Sequence, residues 1–292
     1  MKITTPATAE PRHRRVAIGE FDGVHLGHIE VIGDADTVLT FDPHPRAVVG
    51  PTGAPELLTT LEQKADLIAA LGVDELVVAT FDQDFSELTP DEFITKVLVD
   101  SLGATEVRVG QNFRFGNRAA GNAETLQADT RFSTTVAELV EHETGLISSS
   151  AIRDLIRVGN MDDARKLLGH PFEMRGVVVH GEKRGRTLGY PTANIVPAEG
   201  CVVPAFGVYA ALLDGQPAAA SVGIRPTFDD GEEVLLEVFI LDFDGDLYGQ
   251  EVSVELLSFL RPEAKFDRIE ALKVQMAQDC QQSAVIAAAH VV

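Results

Sequence analysis

The sequence contains few cysteines and no long apolar run. Its two cysteines, Cys201 and Cys280, are too few for a disulfide framework and lack the spacing of a metal site. Such cysteine usage is typical of a reducing compartment, and we expect the cytoplasm. No apolar stretch approaches the ~20 residues that a membrane helix needs. The polar start of the chain also lacks the apolar segment of a secretory signal.

Positive charge is scarce as well, since 24 lysines and arginines face 45 aspartates and glutamates, a formal net charge of −21. A surface this acidic repels polyanions, so we expect neither nucleic acid nor a membrane as a partner. It would also repel a nucleoside triphosphate, unless Mg²⁺ and local basic residues offset the charge. Clusters of Arg, Lys, His and Gly are therefore the candidate sites.

Length and pattern predict two domains, residues 1–171 and 172–292. In the first domain, apolar strands alternate with helical patterns, which predicts an α/β fold with a parallel sheet covered by helices. The predicted strands are 16–18, 38–41, 75–80 and 106–109, and the predicted helices are 60–71, a segment from 89 onward, 151–156 and 161–168. Ligands of such sheets bind beyond the carboxyl ends of the strands. Residues 1–13 are predicted to be a loose arm.

The second domain has closely spaced strands with no helix between them. They are predicted at 177–179, 207–210, 218–222, 234–243 and 251–259, joined by turns rich in Gly, Pro and Asp. This pattern predicts a small antiparallel barrel or sandwich. A closing helix is predicted at 265–281.

The most informative segment is 19–28, Gly-Glu-Phe-Asp-Gly-Val-His-Leu-Gly-His, directly after the first strand. A helix that begins near Gly23 would place His25 and His28 on one face, beside free backbone N–H groups. Gly27 has no side chain to block a ligand. The segment predicts a phosphate site, although the histidines could simply cap the helix. A metal site is less favoured, because no carboxylate or cysteine completes a recognisable ligand set.

A second basic and glycine-rich segment runs from 180 to 194. It contains Gly181, Lys183 and Arg186, whose backbone and charges could hold a phosphate chain, although an ordinary hairpin is the alternative. Its spacing is not that of a Walker A loop. Thr192 and Asn194 lie two residues apart and share one face of an extended strand. Their oxygens are of the kind that Mg²⁺ prefers.

Glu237 interrupts an otherwise apolar strand. If it is desolvated there, its pKa should rise, which suits a general base for a substrate hydroxyl. The alternative is a solvent-facing carboxylate on an edge strand.

Taken together, the motifs resemble the bifunctional riboflavin kinase/FAD synthetases of bacteria. The resemblance covers about residues 16–282, and its pieces follow the family's order. They are 19–28, Phe-Asp-Pro-His-Pro at 41–45, Val-Gly-Gln-Asn-Phe-Arg-Phe-Gly at 109–116, Ser-Ser-Ser-Ala-Ile-Arg at 148–153, 184–194, 221–228 and Asp-Leu-Tyr-Gly at 246–249.

The resemblance implies a Rossmann-like nucleotidyltransferase domain followed by a barrel that acts as a kinase. The barrel would phosphorylate riboflavin with ATP to give FMN. The first domain would adenylylate FMN with a second ATP, giving FAD and pyrophosphate. Riboflavin, FMN and ATP are thus the implied substrates, with Mg²⁺ accompanying ATP and flavins as substrate and product.

The resemblance also implies residue roles. In the first domain, His25 and His28 would act on the ATP phosphates together with Gly23 and Gly27. Further contacts to nucleotide or phosphate are implied for Asn112, Ser149 and Arg153, and a flavin contact for Phe113.

In the kinase domain, the resemblance implies that Thr192 and Asn194 bind Mg-ATP, with phosphate contacts from Gly181, Lys183 and Arg186. Glu237 would be the base for the ribityl 5′-hydroxyl. Arg261 would order a loop over the flavin.

Two departures from the family's pattern keep alternatives open. The helix after His28 is predicted to last only about one and a half turns before Gly33, where the family has a full helix. Glu20 places an acid beside the expected phosphates. A riboflavin kinase with a weak or inactive adenylyltransferase domain is therefore the first alternative. A flavin-nucleotide binding protein without turnover is the second, and the oligomeric state is left open.

Overall fold

The computed structural model describes residues 1–142, 145–181, 190–226 and 232–290. The chain forms two compact units, residues 1–149 and 150–292. This division falls before the predicted boundary at 171/172, because two short helices group with the residues that follow them. Within the described ranges, no helix combines the length and apolarity needed to cross a membrane.

The first unit is built on strands and short helices in alternation. Its strands are β1 (Lys2–Thr4), β2 (Arg14–Ile18), β3 (Thr37–Asp42), β4 (Glu75–Thr80), β5 (Ala104–Gly110), β6 (Arg114–Phe115), β7 (Gly121–Asn122), β8 (Ser133–Ala137), β9 (Glu141–His142) and β10 (Gly145–Leu146). Its helices are α1 (Leu26–Ile32), α2 (Pro45–Val49), α3 (Leu61–Ala70), α4 (Gln83–Ser86), α5 (Pro90–Glu92), the π-helix Phe93–Ser101, the 3₁₀ turn Asn117–Ala119 and α6 (Ala123–Gln127). The predicted α/β class is confirmed.

Six of these strands form one parallel sheet in the order β1-β4-β3-β2-β5-β8. From β2 the chain proceeds to β3 and β4 on one side, then returns to place β5 and β8 on the other. The order therefore reverses between β2 and β5, and a ligand crevice is expected beyond their carboxyl ends. The central strands are apolar on both faces, as Val16 and Ala17 of β2 illustrate by being fully buried.

Local sequence explains several helix starts in this unit. Thr60 and Gln63 form a capping box at α3, and Thr89 and Glu92 form another at α5, where Pro90 occupies the first turn. Helix α1 has only seven residues and ends at Gly33, as predicted.

Two edge strands were not predicted. Lys2–Thr4, expected to be part of a loose arm, pairs with β4 as β1. Ser133–Ala137, for which no strand was predicted, pairs with β5 as β8. Edge strands bury fewer side chains than central ones, and therefore carry weaker apolar patterns.

Helix α7 (Ser149–Arg157) starts at the last residue of the first unit, and the rest of it belongs to the second unit. The second unit continues with α8 (Met161–Leu168) and a closed antiparallel barrel in the order β11-β12-β15-β14-β13-β16. The strands are β11 (Phe172–Val179), β12 (Ala193–Pro197), β13 (Gly207–Leu213), β14 (Gln216–Pro226), β15 (Glu232–Ile240) and β16 (Glu251–Arg261). Helix α9 (Ile269–His290) packs against the outside of the barrel. The predicted barrel is confirmed, whereas the predicted closing helix at 265–281 was placed too early and ended too soon.

One buried ion pair joins three strands of the first unit. Arg14 Nη2 on β2 donates to Glu75 Oε2 on β4 at 2.8 Å, and Thr4 Oγ1 on β1 donates to Glu75 Oε1 at 2.8 Å. The Arg14 and Glu75 side chains are only 1% and 5% exposed. Burial alone would raise the pKa of Glu75, but the hydrogen bonds from Arg14 and Thr4 and the Arg14 charge outweigh it and lower the pKa below 4.5.

We expect Glu75→Gln to destabilise the first unit by about 3–5 kcal/mol at pH 7, because Arg14 would remain charged, buried and unpaired. Since folding lowers the pKa of Glu75, its contribution is present above pH 4.5 and is lost as the pH falls through the lowered value. The penalty of the substitution should therefore shrink in acid. Lys96→Gln, which removes an exposed ion pair with Glu92, is the control and should change stability by less than about 0.5 kcal/mol.

Urea unfolding followed by circular dichroism measures the loss in the free energy of unfolding. All three tyrosines lie in the second unit, so tyrosine fluorescence reports on that unit separately. Equal effects of Glu75→Gln and Lys96→Gln would contradict the role given to the pair.

Candidate active sites

In the first unit, the loop after β2 carries the histidine segment to the expected crevice. His25 and His28 follow β2, and Asn112 follows the neighbouring strand β5. Because parallel strands present their carboxyl ends at one edge, these residues lie at the same edge of the sheet. Asn112 is exposed, and its Oδ1 lies close to the backbone of Gly110.

His25 is the N-cap of α1 rather than a residue within it. Its Nδ1 accepts a hydrogen bond from the backbone N–H of His28 at 3.2 Å. The prediction that the helix begins near Gly23 is therefore wrong by about one turn, yet the two histidine rings do meet. They stack with their centroids 3.5 Å apart.

Gly27 serves a different purpose from the one predicted. A Cβ at this position would lie 3.2 Å from Cε1 of the His25 ring, so the space left by the glycine is occupied by that imidazole. Gly23 has a φ of +82° and its N–H donates to Thr59 Oγ1 at 3.1 Å. Both glycines therefore shape the loop that presents the histidines.

The histidine loop is held by a buried carboxylate that sequence reasoning missed. Asp22 is 2% exposed, and its Oδ1 accepts from the backbone N–H groups of Leu58 and Thr59 at 2.8 and 3.2 Å. Ser149 Oγ donates to the backbone carbonyl of Asp22 at 3.0 Å. An aspartate within a glycine-containing loop resembles an ordinary turn residue, and its long-range partners leave no local signal.

The hydrogen bonds of Asp22 hold a loop whose backbone is strained at two positions. Phe21 and Val24, on either side of the Asp22–Gly23 pair, have φ values of 52° and 40°. Such conformations cost about 1–3 kcal/mol each for residues other than glycine and persist where the surroundings enforce them. The loop is therefore preorganised by its neighbours.

His28 is electrically neutral near pH 7. Burial lowers the pKa of its imidazole well below 6.5, and the charges of His25 and Lys64 lower it further. Its Nδ1 is buried and, among the described residues, has no hydrogen-bond partner. A neutral imidazole can donate one hydrogen bond and accept another, so this ring is suited to contacting a phosphate oxygen.

Glu20 makes an ion pair at the foot of the same loop. Its Oε1 lies 3.2 Å from Lys64 Nζ, and the two side chains are 22% and 6% exposed. Thr40 Oγ1 donates to the backbone carbonyl of Glu20 and lies 3.4 Å from the lysine. The acid predicted to oppose phosphate binding is thus compensated by a lysine that sequence reasoning missed.

An aromatic cavity of about 650 Å³ lies in the first unit. It is lined by six phenylalanines: Phe41, Phe81, Phe85, Phe93, Phe113 and Phe115. Phe113 stacks on Phe115 with ring centroids 5.6 Å apart. Of these six rings, the sequence analysis assigned a flavin contact to Phe113 alone.

The residues predicted at 148–153 are divided between the units. Ser149 belongs to the first unit and contacts the histidine loop, as described above. Arg153 lies on α7 in the second unit and is 6% exposed, so it is a buried cation rather than a solvated surface charge.

In the second unit, the barrel's hydrogen-bond register places several predicted residues in one row. Asn194 on β12 pairs with Glu237 on β15, which pairs with Ser221 on β14. The row continues through Val208 on β13 to Arg261 on β16. Directly paired residues project from the same face of a sheet, so these polar side chains share one face of the barrel wall.

Glu237 is exposed, whereas its neighbours Leu236 and Val238 are fully buried. The desolvation expected from its apolar strand is therefore wrong. The strand has one face inside the barrel and one outside, and Glu237 lies on the outer face. Glu237 is nevertheless paired with Asn194 and Ser221 in the barrel's register.

The glycine-rich segment is described only at its ends. A Cβ on Gly181 would lie 2.3 Å from the Asn194 amide nitrogen, so the Asn194 side chain packs directly on the Gly181 backbone. Lys183 and Arg186 lie outside the described residues.

Two cavities of the second unit meet at Thr192. The first, of about 440 Å³, is bounded by Pro191, Thr192 and the segment 243–248. The second, of about 570 Å³, lies between the barrel wall and α9 and is lined by Thr192, Ser221, Glu237 and Arg261, among others. Two ligands bound there would thus approach each other at Thr192.

Arg261 is fixed by a carboxylate that sequence reasoning missed. Its Nη2 donates to Asp279 Oδ2 at 2.8 Å and its Nε to Asp279 Oδ1 at 3.1 Å. Gln275 donates to Asp279 Oδ1 at 3.0 Å. Asp279, 4% exposed, thus ties α9 to the end of β16 beside the second cavity.

Family models match both parts of the chain. A riboflavin kinase model matches residues 168–287, and an FAD synthetase model matches residues 7–151.

Several curated proteins are similar over most of their length. The bifunctional riboflavin kinase/FMN adenylyltransferase of Listeria monocytogenes is 40% identical over 92% of this chain and 90% of its own. Proteins of the same name from Bacillus subtilis and Escherichia coli K12 are 36% and 37% identical, over 92% and 90% of this chain and 90% of each relative.

A solved structure is similar as well. The crystal structure described as a macrolide-efflux protein from Streptococcus pneumoniae is 34% identical with a TM-score of 0.87, covering 97% of this chain and 98% of its own.

We expect Asp22→Ala to loosen the histidine loop. It leaves the N–H groups of Leu58 and Thr59 without their acceptor, at about 1–3 kcal/mol for each buried group. Hydrogen exchange of backbone amides in residues 19–28 should accelerate by at least tenfold. Asp22→Asn, which keeps an acceptor oxygen, should recover most of the protection. Glu30→Gln, at an exposed carboxylate on α1, is the control. Unchanged exchange in Asp22→Ala would refute the anchoring role.

Proposed function

Because this chain belongs to the family of bifunctional riboflavin kinases/FMN adenylyltransferases, we propose that its two candidate sites divide the family's two reactions between them. The chain is a transferase of flavin-nucleotide synthesis, with a riboflavin kinase part and an FMN adenylyltransferase part. We assign phosphorylation of riboflavin to the barrel and adenylylation of FMN to the α/β unit. The cytoplasm is the proposed location, on the ground of cysteine usage.

The observation that carries the kinase assignment is that Thr192 lines both cavities of the second unit. We place ATP in the cavity bounded by segment 243–248 and riboflavin in the cavity under α9. The γ-phosphate and the ribityl 5′-hydroxyl would then meet at Thr192. Phosphoryl transfer depends mainly on such positioning and on charge neutralisation.

Glu237 is the proposed base of the kinase reaction. It lines the riboflavin cavity and shares its row with Asn194. Its carboxylate would accept the proton of the 5′-hydroxyl as the hydroxyl oxygen attacks the γ-phosphorus and ADP leaves. Because Glu237 is exposed at the cavity wall, a substrate hydroxyl can reach its carboxylate.

The oxygen donors of Thr192 and Asn194 fit a magnesium ion that accompanies ATP. A hydroxyl and an amide oxygen are hard ligands, and the Asn194 side chain is held against Gly181 at the edge of the site. Bound there, Mg²⁺ would neutralise charge on the phosphates. Gly181, Lys183 and Arg186 remain proposed contacts to the phosphate chain.

We assign riboflavin positioning to Arg261. Its guanidinium is held by Asp279 and lies 5.9 Å from the Phe266 ring at the cavity wall. A guanidinium fixed in this way can present its remaining donors to the flavin without losing further side-chain freedom.

In the first unit, the proposed ATP phosphate site is the histidine loop with Asn112. His25 and His28 would contact the phosphates and stabilise the charge that develops as the FMN phosphate attacks the α-phosphorus and pyrophosphate leaves. Gly23 and Gly27 shape this loop, Ser149 supports it, and Arg153 remains a proposed triphosphate contact.

The aromatic cavity is the proposed site for the flavin ring of FMN. Its six phenylalanines offer a flat, apolar environment, and Phe113 follows Asn112 directly in the β5 loop. A flavin stacked there would place its phosphate near the loop that carries the nucleotide site.

The alternative of a weak or inactive adenylyltransferase rests on two observations. Helix α1 is short, and Glu20 is close to the proposed phosphates. Purified protein incubated with riboflavin, ATP and Mg²⁺, with the flavins resolved by chromatography, separates the proposals. We expect FMN and then FAD. FMN alone would favour the alternative, and unchanged riboflavin would refute both, leaving a binding protein.

Substitutions should separate the two reactions. We expect Glu237→Ala to reduce FMN formation from riboflavin by about 10²–10⁴-fold, the contribution typical of a general base. FAD formation from supplied FMN should persist. His28→Ala should do the reverse, lowering FAD formation while FMN formation is unchanged. If either variant, correctly folded by circular dichroism, lost both reactions, the assignment of separate sites would be wrong.

A further inference from the structure

The Glu20–Lys64 pair is incompletely satisfied in the described part of the chain. Glu20 Oε1 is paired with Lys64, but Oε2 is buried and has no hydrogen-bond partner there. A buried carboxylate oxygen without a donor is costly when the group is ionised. The site therefore favours either a proton on Glu20 or a ligand that restores the balance.

The net effect of burial and of the charges around Glu20 is to favour its protonated form. Burial raises the pKa of its carboxyl to about 7, Lys64 on α3 opposes this shift, and Asp22 in the same loop and Asp42 at the end of β3 add to it. Lys64 also lies close enough to His28 to affect the pKa of that imidazole. The lysine therefore acts on both the acid and the histidine of the proposed phosphate site.

We propose that Glu20 sets the affinity of the adenylyltransferase site for phosphate chains through its protonation, and that binding of a phosphate chain is coupled to proton uptake by Glu20. When Glu20 is ionised, it neutralises Lys64 and repels the incoming anion. When Glu20 is protonated, the charge of Lys64 is uncompensated and attracts the anion. This proposal rests on the assignment of the histidine loop to phosphates.

The direction of the pH dependence follows from linkage. A bound anion favours the protonated acid, so it raises the pKa of Glu20 further and draws a proton from solvent near neutral pH. Affinity should therefore fall as the pH rises above 7, by at most tenfold per pH unit for one coupled proton. Removing the carboxyl charge should remove this dependence and tighten binding at high pH.

The test uses inorganic pyrophosphate as the probe, because only adenylyl transfer produces it. Calorimetric titrations of the full chain between pH 7 and 8.5, in buffers of different ionisation enthalpy, give affinity and proton uptake. We expect Glu20→Gln to bind pyrophosphate about tenfold more tightly than the wild type at pH 8. We also expect the wild type to take up a larger fraction of a proton on binding than Glu20→Gln does. Comparing these two proteins cancels the titration of pyrophosphate itself.

Glu62→Gln is the matched control, since it removes an exposed carboxylate from α3, the helix that carries Lys64. It should bind like the wild type, which separates a local effect from a change in net charge. Glu20→Asn is a second variant in case Glu20→Gln folds poorly, judged by circular dichroism.

Two results would overturn the proposal. Equal affinity and equal proton uptake in wild type and Glu20→Gln would show that Glu20 has no such role. Weaker binding by Glu20→Gln only when Mg²⁺ is present would make Glu20 a metal ligand instead. FAD formation from FMN by the wild type, measured alongside, distinguishes failure of this proposal from failure of the adenylyltransferase assignment.

Discussion

The buried carboxylate of Asp22 is the contact on which the arrangement of the first site depends. It joins the loop after β2 to the backbone at Leu58 and Thr59, far along the chain. Without that anchor, neither the left-handed conformations of Phe21 and Val24 nor the stacking of His25 on His28 has an evident cause. The short helix α1 offers little packing surface of its own, so the loop is held from outside. Preorganisation of this kind is what a phosphate-handling site requires.

In the second unit, strand register rather than a buried anchor positions the site residues. Asn194, Glu237, Ser221 and Arg261 are widely separated in sequence, and barrel closure places them in one row. Their relative positions depend on strand register, which apolar alternation on the inner face enforces. Asp279 extends the row to α9 by fixing Arg261.

Sequence reasoning was most successful where the signal is local. The parallel sheet, the barrel and the short α1 follow from periodicity, glycine positions and motif spacing. It missed β1 and β8, because edge strands carry weak apolar patterns. It also missed Asp22, Lys64 and Asp279, whose roles arise from partners 18 to 44 residues away. Glu237 illustrates a further limit, since an apolar strand does not reveal which of its faces is covered.

The walls of the aromatic cavity and of the cavity under α9 have no described residue in common. A substitution in the lining of one cavity therefore leaves every described lining residue of the other in place. The six phenylalanine rings of the aromatic cavity can be exchanged for smaller or polar side chains without altering the described wall of the cavity under α9. The ligand preferences of the two cavities can thus change one at a time.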